Sequence, residues 1–264
     1  MQKNYKKGIF SWFGYIMPFF ERAYHIKKAG FDAISLWWED EREIKRTEMP
    51  EVVREIGLDV DYVHFPYEHC NSIWHIEKNI FCKIIDRYSL WFEECIEKGI
   101  NLIVLHVEDN PQISPNFAGI DNMRKIVEKA KEYNIKLAVE NTRKNEYLDL
   151  ILENIDDENL GFCHDASHDI LTGKGSFTAL KRWKSRLFCT HISDNCGKED
   201  NHFVPFKGSI DWESFAADFP KEYKGMLTLE ICASMEEIKT LKPEDYLKIA
   251  RENLLKVEEK IINA

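Results

Sequence analysis

Eight short apolar runs alternate with eight longer amphipathic stretches along this chain of 264 residues, and that alternation restricts the fold more than any other feature. The runs are GIFSWF (8–13), FDAISLW (31–37), LDVDYVHF (58–65), NLIVLHV (101–107), IKLAVE (135–140), NLGFCHD (159–165), RLFCTHI (186–192) and GMLTLEI (225–231). Their length and β-branched or aromatic content suit strands. The stretches 17–29, 41–56, 75–98, 117–133, 145–154, 175–183, 211–217 and 243–261 read as helices. RKIVEKAKEY and YLKIARENLLKVEEKI, for example, repeat apolar residues at three- and four-residue spacing. Gly30, Gly57, Gly99 and Asn134 stand near helix ends, where a left-handed residue stops a helix. Helical crossovers make successive strands parallel. The pattern predicts an α/β fold, a (β/α)8 barrel forming a single domain over 1–264. Such barrels run near ~250 residues. No Gly/Ser/Pro-rich linker divides the chain.

Six of the runs lead into a metal-ligand residue type at or just past their C-terminal end: VDYVH (His64), NLIVLH (His106), IKLAVE (Glu140), LGFCHD (Asp165), RLFCTH (His191) and MLTLE (Glu230). Parallel strands joined by helices put all those ends on one face, where barrel enzymes carry their chemistry. Any one strand-end carboxylate serves equally well as a helix N-cap or a surface charge. The joint occurrence is what points to a site. Glu140, Asp165, His191 and Glu230, converging, would make a centre for Mn²⁺, Mg²⁺, Co²⁺ or Zn²⁺. His64, His106, His168, Asp200 and His202 are further donors for a metal or for substrate. Asp200 and His202 lie in the polar stretch 193–210, and long loops in compact domains usually serve a site. His25, His69 and His75 lack strand-end placement and read as structural or surface residues. Trp12, Trp38, Phe65 and Tyr67 stand at or beyond strand ends and are candidates to pack the apolar face of a ligand, with core packing the competing role.

Composition narrows the partners. No run of about 18 uninterrupted apolar residues is present, so no membrane span is expected. The basic start MQKNYKK is followed by an aromatic segment without a small-residue cleavage site, which does not resemble a signal peptide. Seven cysteines, odd in number and without a C-x-x-C pair, argue for a reduced, cytoplasmic protein. A net charge of −10 argues against a nucleic-acid partner. So does WEDEREIKR after the second strand, with four acids in five residues. Exposed aromatics such as Trp74 or Trp91 would mark an oligomer interface.

The segments VHFPY, LHVED, VENTR, CHDASH, THISDN, DNHFVPFKGSIDW and LTLEI, in this order, resemble the xylose-isomerase-like TIM-barrel superfamily. That group holds sugar isomerases and epimerases together with nucleases of the endonuclease IV type. The run from THISDN to GSIDW is most similar to the sugar isomerase and epimerase branch. The resemblance implies a metal-dependent isomerase or epimerase of carbohydrate metabolism. Its single divalent ion would be held by Glu140, Asp165, His191 and Glu230, with His168 at a substrate-contacting position. The ion would polarise a carbonyl, and Glu140 and Glu230 would be the acid/base pair that moves the neighbouring proton. The substrate it implies is a small carbohydrate: a sugar, a sugar phosphate or a polyol.

Two other readings compete. The endonuclease IV pattern uses three zinc ions, and this chain fills its positions with His64, His106 and Glu140, then Glu140, Asp165, His191 and Glu230, then His168, Asp200 and His202. That implies a zinc phosphodiesterase or abasic-site nuclease. The third reading is a barrel that binds a metal or polyol without turning it over.

Overall fold

The computed structural model describes residues 4–109 and 113–264. Among them are eight strands: β1 (Lys7–Phe10), β2 (Ala33–Trp37), β3 (Asp59–His64), β4 (Leu102–Leu105), β5 (Lys136–Glu140), β6 (Leu160–Asp165), β7 (Leu187–His191) and β8 (Leu227–Leu229). They form one sheet in the order β7-β6-β5-β4-β3-β2-β1-β8, every pair parallel. A parallel bridge between Ile192 and Leu229 joins the two ends. The expected (β/α)8 barrel is present.

The helices are α1 (Phe19–Ala29), α2 (Met49–Glu55), α3 (Lys78–Glu97), α4 (Phe117–Glu132), α5 (Asn145–Asn154), α6 (Ala166–Thr172), α7 (Thr178–Trp183), α8 (Trp212–Asp218), α9 (Met235–Thr240) and α10 (Pro243–Asn263). Ten helices are thus found among the described residues where eight were expected. The extra two are α6 and α9. A capping box starts α9: Ser234 accepts from the Glu237 amide, and the Glu237 carboxylate accepts from the Ser234 amide. The helix expected over 41–56 begins only at Met49. The charged residues ahead of it form a tight turn, with Glu41 and Ile44 bridged and Arg46 bonded to Asp40 and Glu94.

Side-chain alternation divides the barrel into two environments. Outward positions of the strands, such as Ile9, Ile34, Leu36 and Phe162, join the large apolar layer beneath the helices. Inward positions hold Tyr62, Val104, Ala138, Cys163 and Cys189, a small separate cluster in the barrel bore. Trp74 and Trp91, expected to be exposed, are both buried in the outer layer. Trp74 bonds the Val107 carbonyl, and Trp91 packs edge-on against Phe65. Both rings belong to the core, not to an interface. No helix among the described residues is long and apolar enough to cross a membrane.

Asp61 is an ionisable group at the barrel floor. Ile34 pairs with Val60 but Leu36 with Val63, so β3 carries an extra residue here. The Thr228 hydroxyl, three strands away in the sheet order, donates to the Asp61 carboxylate. Gly8 makes room for this contact, because a Cβ there would overlap the Thr228 hydroxyl. Burial pushes the Asp61 carboxyl up to about 6, against the opposing effects of Thr228 and His191. The unfolded value is about 3.9. The folded state therefore binds the proton more tightly, and the associated stability is fully present below about pH 4 and lost as pH rises through about 6. Asp61→Asn is expected to gain stability relative to the parent as pH is raised from about 4 to about 8. Urea unfolding at the two pH values checks this; a pH-independent difference contradicts it.

Candidate metal-binding active site

The C-terminal ends of the strands surround a cavity of about 460 Å³. Glu140, Asp165, His191 and Glu230 each offer a ligand atom, and the four atoms lie within 4.8 Å of one another. Glu140, Asp165 and His191 close inward-facing runs at the ends of β5, β6 and β7. Glu230 follows β8 directly, fixed by its amide bond to the Ile192 carbonyl. The structure thus brings together the four donors that the sequence singles out.

Their local geometry fits a cation. Asp165 Oδ1 accepts from the His168 amide at 2.6 Å and so caps α6. Its Oδ2 is buried without a partner, although a buried carboxylate oxygen is costly to leave unpaired. His191 Nδ1 lies 2.9 Å from Glu230 Oε2 and 3.2 Å from Glu140 Oε2. Neither ring nitrogen of His191 makes a hydrogen bond of acceptable geometry. Donor atoms that crowd together without bonding one another suit a shared positive ion. Three carboxylates and one imidazole match the donor preference of Mn²⁺, Mg²⁺, Co²⁺ or Zn²⁺.

The protonation pattern agrees. Burial pushes His191 down, but Glu230 and Glu140 outweigh it and hold the imidazole well above its ordinary range. Burial pushes Asp165 up to about 6. Burial also opposes ionisation of Glu230, yet His191 brings it down to about 2. Glu140 is likewise held well below the usual carboxylate range by His191 and His106 against burial. Carboxylates held ionised beside an imidazole that favours its charged form make this a spot that suits a cation.

The other predicted donors sit in two adjoining groups. His64 Nε2 and His106 Nε2 each lie 3.1 Å from Glu140 Oε2. His168 Nε2 and His202 Nε2 lie 2.8 Å and 3.1 Å from Asp200 Oδ2. Burial opposes the charge on His202, but Asp200 pushes it up to about 10. The short helix α6 is what returns His168 to the cavity wall.

The aromatic candidates divide. Tyr67 lines the cavity, stacked on His106 with ring centroids 5.2 Å apart. Trp12 is exposed beneath the Arg22 guanidinium and is not among the residues lining the cavity. Trp38 and Phe65 are fully buried on the outer face of the barrel. There Trp38 donates to Glu94 on α3 (2.9 Å), and Phe65 packs on Tyr88, Trp91 and Phe92 of the same helix. The ring that does reach the cavity is Trp37, stacked on His64 at 5.2 Å. Sequence reading also missed Glu108, Asp109, Thr142 and Arg143 on the cavity wall. His164 went unremarked as well. It faces outward and pairs with Asp169 at 3.1 Å, away from the metal ligands.

The family model for the xylose isomerase-like TIM barrel matches residues 23–256. The chain belongs to the xylose isomerase-like TIM-barrel family. An uncharacterised protein of Sinorhizobium fredii is 29% identical over 184 residues. That alignment covers 63% of this chain and 57% of the relative, so the chain spans little more than half of that protein. Among solved structures, a fusion of a xylose isomerase-like barrel with a 4-hydroxyphenylpyruvate dioxygenase superposes with a TM-score of 0.78 at 19% identity. The match covers 98% of this chain but 44% of the fusion. The D-psicose 3-epimerase of Clostridium cellulolyticum H10 gives a TM-score of 0.74 at 15% identity, covering 97% and 98% of the two chains. An L-ribulose 3-epimerase gives 0.74 at 15%, covering 97% of each. At such identities the likeness is one of fold.

Proposed function

We propose that this protein is a divalent-metal-dependent isomerase or epimerase of a small carbohydrate. One observation carries the reading: two glutamates, Glu140 and Glu230, meet with Asp165 and His191 around one cation-sized spot on the wall of a carbohydrate-sized cavity. A divalent ion held by these four side chains would supply charge stabilisation for the oxyanion that develops when the C–H bond beside a carbonyl breaks. Glu230, partly exposed to the cavity, takes the proton from the substrate carbon. Glu140, buried behind it, is the second acid/base group. His168 contacts the substrate from the cavity wall, and Trp37 with Tyr67 packs the apolar face of the sugar. Return of the proton to the other face gives epimerisation; its return to the neighbouring carbon gives aldose–ketose isomerisation. The protein would work in the cytoplasm as a single catalytic domain.

The test is solvent exchange. Metal-loaded protein in D2O is expected to place deuterium on the carbon beside the carbonyl of a ketopentose or ketohexose, with a chelator stopping it. Absence of exchange across a panel of free and phosphorylated ketoses would overturn the reading.

Metal uptake is testable separately. An ion at about 100 times its Kd stabilises the folded state by about 2.7 kcal/mol. For a chain of this size that raises Tm by about 5–10 °C. Asp165→Ala is expected to remove the response, because Asp165 brings an otherwise unpartnered oxygen to the site.

The donors in two adjoining groups favour a second reading, a zinc phosphodiesterase. His64, His106 and Glu140 cluster as tightly as the central set, and so do His168, Asp200 and His202. Elemental analysis separates the two: about one ion per chain supports the isomerase, three support the phosphodiesterase. The acidic loop after β2 weighs less against this reading than its composition suggests. Asp40 is paired with Arg46 and Glu41 with Arg22.

A further inference from the structure

We propose that the substrate carries a negatively charged terminal group, a phosphate or a carboxylate, and that Arg143 receives it. The inference rests on the isomerase reading and adds the substrate class to it.

Arg143 is the one arginine or lysine among the described residues that line the cavity. It is exposed to solvent in the segment between β5 and α5. Glu108, Asp109, Glu140, Asp200 and Glu230 line the same cavity. Yet the Arg143 guanidinium makes no ion pair or hydrogen bond among the described residues. The imidazoles on that wall are already committed, His168 and His202 to Asp200. Among the described residues lining the cavity, the Arg143 guanidinium is thus the one arginine or lysine head group without a partner, and it can meet a ligand.

Its backbone is nevertheless fixed. Glu108, buried, accepts from the Arg143 amide at 3.0 Å and from the Thr142 hydroxyl at 3.0 Å through the same oxygen. The base of the side chain is thereby held while the guanidinium stays free. A planar fork of donors suits the oxygens of a carboxylate or phosphate, with two parallel bonds available. Arg143 follows Glu140 by three positions, which puts their Cα atoms at most about 10 Å apart. A five- or six-carbon open chain spans that scale, with its carbonyl end at the four-ligand centre and its far end at Arg143. The aromatic wall formed by Trp37 and Tyr67 offers apolar contact and no charge for that end.

The test uses the metal-loaded protein and three ligands on one carbon skeleton: D-fructose, D-fructose 6-phosphate and D-fructuronate. Binding is followed by calorimetry and by the 15N shift of Arg143 Nε, assigned through its loss in Arg143→Met. One charged ligand is expected to bind at least about tenfold more tightly than fructose, the scale of a charge-assisted bond. The ratio should fall to about one in Arg143→Met and recover in part in Arg143→Lys. Which anion wins identifies phosphate or carboxylate as the source. Equal binding of all three, failure of both anions to bind at millimolar concentration, or a preference that survives in Arg143→Met overturns the proposal. The two readings fail differently. Deuterium exchange without charge preference keeps the isomerase and removes the anion site. Charge preference without exchange keeps the anion site and removes the isomerase.

Discussion

Glu230→Gln is expected to lower solvent exchange into substrate by about 10²–10⁴-fold, the usual contribution of a positioned acid or base. The substitution keeps the side chain's shape and one ligand oxygen but removes the basic electron pair. Glu230 is the better placed of the two glutamates to meet substrate, because its side chain is 19% exposed where that of Glu140 is 1% exposed. His191 holds Glu230 ionised, down to about 2, so at neutral pH it begins the cycle as a base. The loss should appear in kcat rather than in KM, since ground-state contacts survive. Metal uptake, followed by Tm, should persist at reduced affinity because Asp165, His191 and Glu140 remain. Glu140→Gln should cost as much in turnover but more in stability, since His64, His106 and His191 all lie within 3.2 Å of its carboxylate. Exchange retained within a few-fold in Glu230→Gln would assign the proton to another group. It would leave Glu230 a ligand only.

The barrel was legible in the sequence because strand and helix periods differ and alternate without exception. The four central donors were legible because each closes an apolar run, and parallel strands can end only on one face. What stayed hidden depended on side-chain phase. Trp37 and Trp38 are neighbours, and a period of two sends them to opposite faces of β2. Ala33 and Ser35 precede Trp37 on its own face, whereas Ile34 and Leu36 precede Trp38. In a closed barrel the large apolar set faces the helices. The smaller, more polar set marks the bore, so Trp37 was the ring to choose. Phe65 falls to the outer face by the same rule, one residue past the inward His64. The helix α6 was hidden for another reason. Its N-cap is Asp165 itself, already read as a metal ligand; Oδ1 caps the helix, and Oδ2 stays buried without a hydrogen-bond partner. Arg143 gave no sequence signal, because the sequence does not show that its guanidinium lacks a partner among the described residues.

Asp194→Ala is expected to destabilise the protein by about 3–5 kcal/mol, which exceeds the effect of most single substitutions. The sequence gives it no role beyond its place in THISDN, yet it organises the polar segment 193–210. Asp194 is fully buried. Its Oδ1 accepts from the amides of Asn195 (2.8 Å) and Ile210 (3.0 Å). Its Oδ2 accepts from the Phe206 amide (2.9 Å) and the Trp212 indole (3.2 Å). Four donors converge on one carboxylate, and its backbone also exchanges two bonds with Phe203. Truncation would leave those donors without their acceptor in a dry interior, each costing about 1–3 kcal/mol if unrelieved; loop relaxation lowers the sum. Asp194→Asn keeps one acceptor oxygen and should lose about half as much. Gly208 is part of the same construction, since a Cβ there would overlap the Asp194 carboxylate and the Asn195 carbonyl. The damage should reach the cavity along a traceable chain. Asn195 donates to the Ser167 hydroxyl (2.9 Å), and that hydroxyl donates to Asp200 Oδ1 (2.7 Å). Against burial, the Asp200 hydrogen bond is the largest of the effects that push His202 up to about 10, with the charge of Glu230 next. Release of the loop should therefore bring the His202 titration down toward the ordinary value of about 6.5. Urea unfolding measures the first effect and NMR titration of the imidazole the second. A loss below about 1 kcal/mol, with His202 still charged at neutral pH, would mean that the segment holds its shape without Asp194.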